Sequence, residues 1–218
     1  MGQITVTTPE QQKLLDEFRK DANLCSLFYF SGGTALSLYY LQHRKSVDLD
    51  FFSATQLNSE ELTKSIVSWA GNLKCEVESI PTKQTYTFNF SFPNEKTVKV
   101  DFSYYPYQQV EKPQLIDGIK VDSLTDIAVN KLLVVEQRDE VKDFVDLYFL
   151  LKQFGLWDLL EGVRVKFKLK LDPYIVGSDF FKVEHFDYLP KMIKPLTLKE
   201  LKSFFIQKAQ ELAKRSVE

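Results

Sequence analysis

Residues 27–52 read LFYFSGGTALSLYYLQHRKSVDLDFF, and the order of features in this stretch decides the fold. Leu27 to Phe30 is a short apolar run with the composition of a buried strand. It meets Ser31-Gly32-Gly33-Thr34, after which Ala35 to Leu41 reads as a helix. Val47 to Phe52 reads as a second strand. Side chains alternate along a strand, so Val47, Leu49 and Phe51 share one face and Asp48, Asp50 and Phe52 the other.

Two glycines let the backbone approach a ligand closely, and the following helix start aims N–H groups and partial positive charge at it. Phosphate suits that place, with the Ser31 and Thr34 hydroxyls as further donors. A tight strand–helix turn without a ligand is the plainer reading of the glycine pair alone. Asp48 and Asp50 lie roughly 7 Å apart along one strand face, so two like charges meet one space. Burying them unpaired is costly, and a hard divalent cation such as Mg²⁺ relieves both problems. A solvated edge strand is the alternative, and Phe51-Phe52 argues against it.

A third carboxylate stands in the segment 97–105. Val98, Val100 and Phe102 form its packed face, with Lys99, Asp101 and Ser103 opposite. If this strand lies beside 47–52, Asp101 joins Asp48 and Asp50; a one-residue slip would send it to the other layer. Three carboxylates behind a glycine turn are a layout for metal-assisted phosphoryl chemistry.

Outward from this centre, Thr8 and Gln11 form a capping box that opens a helix over the first 22 residues, with Pro9 at its first position. Asn58 and Glu61 open another helix, to about Leu73. Strands are expected at 75–80, 85–92 and 97–105, and Asp117-Gly118 reads as a hairpin turn. From Ser123 the pattern turns helical: to about Gln137, then from Asp139 to Phe154 with Gly155 as its stop. Residues 157–170 suit either helix or strand, with helix preferred, and Thr197 with Glu200 caps a last helix to about Lys214. The expected class is α+β: a mixed sheet flanked by helices in residues 1–121, then a mostly helical domain in 122–218.

The composition excludes several classes. The chain has 218 residues, and its 28 basic against 30 acidic side chains leave a net charge of −2, which argues against a strongly basic nucleic-acid binder. Hydrophobic residues at 44% supply a packed core and argue against disorder. Cys25 and Cys75 suit neither a disulfide framework nor a zinc spacing, so no disulfide partner is expected. No apolar run nears the ~18 residues of a membrane span, and the N-terminus lacks a signal-peptide layout. A soluble, cytoplasmic protein is expected.

Gly32-Gly33-Thr34-Ala35-Leu36, His43-Arg44, Ser46, Asp48, Asp50-Phe51-Phe52, Ala128-Val129-Asn130-Lys131, and Arg138 followed by Lys142-Asp143-Phe144-Val145-Asp146-Leu147-Tyr148 together resemble the AbiEii/AbiGii toxin-type nucleotidyltransferases. That family is a branch of the DNA polymerase β-like superfamily. The resemblance covers nearly the whole chain, with a weaker echo at 186–205. It implies a polymerase β-like catalytic domain and a helical domain that closes the nucleotide cleft. It also implies transfer of a nucleoside monophosphate from an NTP to an acceptor, RNA foremost, by the toxin of a toxin–antitoxin or abortive-infection system. Asp48 and Asp50 would bind two Mg²⁺ ions and Asp101 would complete the acceptor-side one. Ser31, Gly32, Gly33 and Thr34 would hold the triphosphate, with Arg44 a further candidate for phosphate, while Lys131 would neutralise phosphate charge.

On the helix after Lys131, Asp139, Asp143 and Asp146 share a face. The resemblance assigns Asp143 to function and Asp146 to a structural role. His43 and Arg44 either reach the nucleotide or order their own turn. The partners implied are an NTP, an RNA or protein acceptor and a cognate antitoxin. A non-catalytic nucleotide-binding module, or a transferase acting on a small molecule or protein, are the competing readings.

Overall fold

The computed structural model describes residues 6–56, 58–82 and 84–215. They fall into two compact units. The first takes residues up to Tyr40, Ser46–Tyr107 and Lys112–Ser123; the second takes Leu41–Lys45, Gln108–Glu111 and the chain from Leu124 onward.

The first unit is built on seven strands: β1 (Tyr29–Ser31), β2 (Leu49–Ser53), β3 (Glu76–Pro81), β4 (Thr85–Ser91), β5 (Thr97–Tyr104), β6 (Gln114–Ile116) and β7 (Ile119–Val121). They form one mixed sheet in the order β3-β4-β5-β2-β1-β7-β6. Strand β2 runs parallel to β5 and antiparallel to β1, which is itself parallel to β7. Helix α1 (Pro9–Lys20) starts at the expected capping box, with Thr8 and Gln11 bonded reciprocally. Asn58 caps α4 (Ser59–Leu73) by accepting from the Glu60 and Glu61 N–H groups.

Aromatic rings join these helices to one face of the sheet. Phe18 of α1 stacks on Phe51 of β2 at 4.2 Å, Phe51 stacks on Phe102 of β5 at 5.1 Å, and Trp69 of α4 lies against both Phe18 and Phe102. Strand alternation then turns Asp50 and Asp101 to the opposite face.

Two boundaries differ from the sequence expectation. The Asp21 side chain accepts from the Leu24 N–H and starts a short helix, α2 (Ala22–Leu27), so the first strand begins only at Tyr29. Strand β2 begins at Leu49, leaving Val47 67% exposed with no core to enter. The Asp117-Gly118 turn is formed as expected, both residues having the positive φ that a two-residue hairpin demands.

The second unit comprises α5 (Leu124–Gln137), α6 (Val141–Leu150), α7 (Leu156–Phe167), α8 (Pro173–Phe180), a 3₁₀ turn at Phe181–His185 and α9 (Leu198–Arg215). Phe144, Phe180, Phe186 and Phe205 meet edge-to-face at its centre. Segment 157–170 is helical to Phe167, where Lys168 takes a left-handed φ of 55° and ends it. Gly155 begins α7 rather than stopping α6, which already ends at Leu150. Helix α8 went unread in the sequence, although Asp172-Pro173 is a legible start: Asp172 accepts from the Tyr174 N–H. A Cβ at Gly162 would lie 2.4 Å from Val129 Cγ2, so α5 and α7 pack tightly where glycine stands. Among the described residues no helix is long and apolar enough to cross a membrane.

Candidate functional site

A polar row crosses the sheet of the first unit on the face away from α1 and α4. Register pairs Ser31 with Asp50, Asp50 with Asp101, and Asp101 with Thr87 on β4. Ser31 Oγ donates to Asp122 Oδ2 (2.8 Å), just beyond β7, so the row runs Asp122–Ser31–Asp50–Asp101–Thr87. Paired residues in a sheet project to the same side, which puts Asp50 and Asp101 next to each other. Asp101 is held at both oxygens: Thr87 Oγ1 donates to Oδ1 (2.6 Å), and Lys99 Nζ stands 2.8 Å from Oδ2. Asp48 lies one residue before β2, and the Thr34 hydroxyl donates to its backbone carbonyl.

Gly32 is where the turn meets the row. Its φ is +73°, and a Cβ there would come within 2.2 Å of Asp50 Oδ2. The missing side chain therefore makes room for a carboxylate of the protein itself. The turn continues as α3 (Gly32–Ala35), with Gly33 and Thr34 buried, and then as a π-helix over Leu36–Leu41. Such π-turns are unusual and recur at functional sites.

Of the expected phosphate-turn residues, Ser31 and Thr34 thus spend their hydroxyls on Asp122 and on the Asp48 carbonyl. Asp122, fully buried, was not singled out in the sequence. Its signal was a carboxylate at a strand end, which only the β1–β7 pairing makes meaningful.

Burial works against the charge on Lys99, but its hydrogen bond to Asp101 and the negative charges of Asp101, Asp48 and Asp50 outweigh it and raise its pKa above the usual lysine value. The donors available to a cation here are hard carboxylate oxygens, the type that Mg²⁺ takes. The negative charges of Asp48, Asp50 and Asp101 that act on Lys99 are of the sign a divalent ion requires. Among the described residues, however, no three acidic, His or Cys side chains are gathered closely enough to hold a metal.

The remaining candidates form a second cluster inside the helical unit. Asp146 on α6 accepts from Arg44 Nε (2.6 Å) and Nη2 (2.7 Å), lies 2.7 Å from His43 Nε2, and is 2.6 Å from Lys131 Nζ. Lys131 also donates to Asp143 (2.6 Å), whose other oxygen takes Arg138 Nε (2.7 Å). All except Arg138 are buried. Burial alone would raise the pKa of both carboxyls, but the Lys131 charge, with Arg138 at Asp143 and Arg44 at Asp146, holds them below the usual range, Asp146 well below.

Burial likewise opposes charge on Lys131, and Asp146 and Asp143 overcome it. His43 goes the other way: burial outweighs Asp146 and lowers its pKa below the ordinary histidine value, and because the Asp146 carboxylate can only accept, the proton of their hydrogen bond is on Nε2. Residues 43–45 are further tied to 191–194: the Ile193 and Lys194 N–H groups donate to the His43 carbonyl and Lys45 N–H to the Lys191 carbonyl. Asp139, expected on the same face as Asp143 and Asp146, pairs instead with Lys182.

The structure therefore brings Ser31, Gly32, Gly33, Thr34, Asp48, Asp50 and Asp101 together in one unit. It brings Arg44, Lys131 and Asp143 together in the other.

Comparison with known proteins agrees with this architecture. The profile of the nucleotidyl transferase AbiEii toxin family, of type IV toxin–antitoxin systems, matches residues 13–216. The chain is 30% identical over 214 residues to aq_aa25 of Aquifex aeolicus (strain VF5), a protein without an assigned function, covering 93% of this chain and 95% of that one. It is similar in structure to a Helicobacter pylori protein provisionally described as a nucleotidyltransferase (TM-score 0.59, 25% identity, 96% of each chain). It is also similar in fold to JHP933 from Helicobacter pylori (TM-score 0.59, 24% identity, 94% of this chain and 91% of that one).

Proposed function

Because the chain belongs to the AbiEii nucleotidyl transferase toxin family, we propose that it moves a nucleoside monophosphate from an NTP to RNA in an Mg²⁺-dependent reaction, under the control of a cognate antitoxin. The observation that carries the reading is the register pairing of Asp50 with Asp101, beside a glycine turn shaped around Asp50. Two carboxylates held side by side on one sheet face repel each other and suit a ligand that brings positive charge.

In this reading Gly32 and Gly33 offer backbone N–H groups to the triphosphate. Thr34 acts on Asp48, fixing the backbone that presents its carboxylate. Ser31, donating to Asp122, sets the edge of the row next to Asp50. Asp48, Asp50 and Asp101 would hold Mg²⁺, which supplies charge neutralisation on the triphosphate and acidity to the acceptor hydroxyl when bound. The acceptor oxygen forms a bond to the α-phosphorus, the bond from that phosphorus to the β-bridging oxygen breaks, and pyrophosphate leaves. Asp101 takes the acceptor proton. Positioning and charge provide most of the rate, since the protein forms no covalent bond.

Lys131, Asp143 and Arg44 serve as positioning residues: their buried network fixes residues 43–45, which lead directly into the carboxylate strand. An enzyme that consumes NTPs and modifies RNA belongs in the cytoplasm, where both are found.

Incubation with each labelled NTP, Mg²⁺ and total cellular RNA tests the proposal. Label in RNA together with released pyrophosphate supports it. NTP binding without pyrophosphate release would favour a non-catalytic module, and label in protein or a small molecule instead of RNA would replace the acceptor.

A further inference from the structure

Lys99 lies two residues before Asp101 on β5, so both side chains project from the same sheet face. Its ammonium sits 2.8 Å from Asp101 Oδ2, while Thr87 occupies Oδ1. Asp101 is 14% exposed, whereas Lys99 is 41% exposed and can turn out to solvent. Its ion pair is partly solvated, the kind that holds weakly and exchanges readily.

Resting on the reading of Asp48, Asp50 and Asp101 as metal ligands, we infer that Lys99 is the resident cation of the row: it occupies Asp101 in the metal-free protein and must release it before a divalent ion can be held there. Lys99 is thus a positioning residue that sets when the third carboxylate becomes a ligand. It also accounts for the absence, among the described residues, of three converging acidic donors although Asp50 and Asp101 stand in register. Asp101 is bent toward its own lysine. The released ammonium stays within reach of the row, where the NTP phosphates give it a new anionic partner. Nucleotide binding and metal loading at Asp101 therefore favour each other through this one side chain.

Mn²⁺ binding, read by the electron paramagnetic resonance of the free ion, tests this without any turnover. Removing a partly solvated ammonium in contact with a ligand should tighten binding about fivefold in Lys99→Met. Lys99→Gln, which keeps a polar side chain but loses the charge, should show the same gain, and Lys99→Arg should behave as the wild type. In a Lys99→Met, Asp101→Asn double variant the gain should vanish, because the oxygen that Lys99 guards is no longer a carboxylate. Equal Mn²⁺ affinity in wild type and Lys99→Met would overturn the inference while leaving the metal reading intact. A gain that survives Asp101→Asn would overturn it as well, by showing a diffuse charge effect. Absence of Mn²⁺ binding in every form, with and without NTP, would remove the metal reading and the inference together.

Discussion

Gly32 and Asp50 are in such close contact that any Cβ at position 32 would force Asp50 to shift: it would lie 2.2 Å from Asp50 Oδ2 and 2.8 Å from its carboxyl carbon. The glycine turn and the carboxylate strand are one structure.

Gly32→Ala should accordingly be more damaging than its backbone angle explains. Gly118 has a similar positive φ, +78°, but open space where a Cβ would go. Gly118→Ala should cost about 1 kcal/mol from the angle alone. Gly32→Ala should cost at least ~2 kcal/mol, since overpacking adds to the strain, and should weaken NTP binding. Urea unfolding of the two variants side by side checks the difference; equal losses would mean that Asp50 simply moves aside.

Asp50→Asn should abolish transfer and spare the fold. The amide keeps the shape that Gly32 accommodates while removing like-charge repulsion with Asp101. Activity should fall by ~10³ or more, as expected when a ligand of the catalytic cation is lost. The melting temperature should hold or rise. A marked drop in melting temperature would instead make Asp50 a structural residue.

Lys131→Ala should act on stability first. Its ammonium lies 2.6 Å from carboxylates on both Asp143 and Asp146, each fully buried. Removing it leaves Asp143 with Arg138 and Asp146 with Arg44 and His43 but takes away the cation that joins them, at a cost of roughly 1.5–3 kcal/mol. Denaturant unfolding measures this directly. A Lys131→Ala protein of normal stability that has lost NTP affinity would return the lysine to the phosphate-binding role its motif implies.

Acid should unfold the protein in two stages. Burial lowers the folded pKa of His43 beneath its ordinary 6.5, so below that pH the unfolded chain takes up a proton that the folded chain refuses. Stability therefore falls as pH drops from about 6.5. Asp143 and Asp146, held low by their cationic neighbours, add a second loss as pH drops below about 4. Melting temperature against pH should show both limbs, and His43→Asn should erase the upper one. A profile unchanged by that substitution would show that His43 titrates alike in both states.

How far the sequence reaches is clear at particular residues. Capping boxes at Thr8 and Thr197, the Asn58 cap and the Asp117-Gly118 turn were legible, because each rests on side chains within a few positions of the backbone they serve. So was the alternation that separates Phe51 from Asp50, a property of any strand. By itself the sequence determined the α+β class, the order of most elements and the strand face that carries Asp50, whereas Asp48, expected on the same strand, lies one residue before it.

Which carboxylates become neighbours was decided only by tertiary structure. Asp50 and Asp101 are far apart in the chain, and strand pairing between β2 and β5 had to choose one register over another that differs by a single residue. The same holds for Asp122, which joins the row only because β7 lies beside β1. Arg44, read beside phosphate, has its guanidinium on Asp146 because burying one charge requires another within bonding distance. Local sequence sets the direction of a side chain; its partner is set by long-range packing, which carries no periodic trace in the chain.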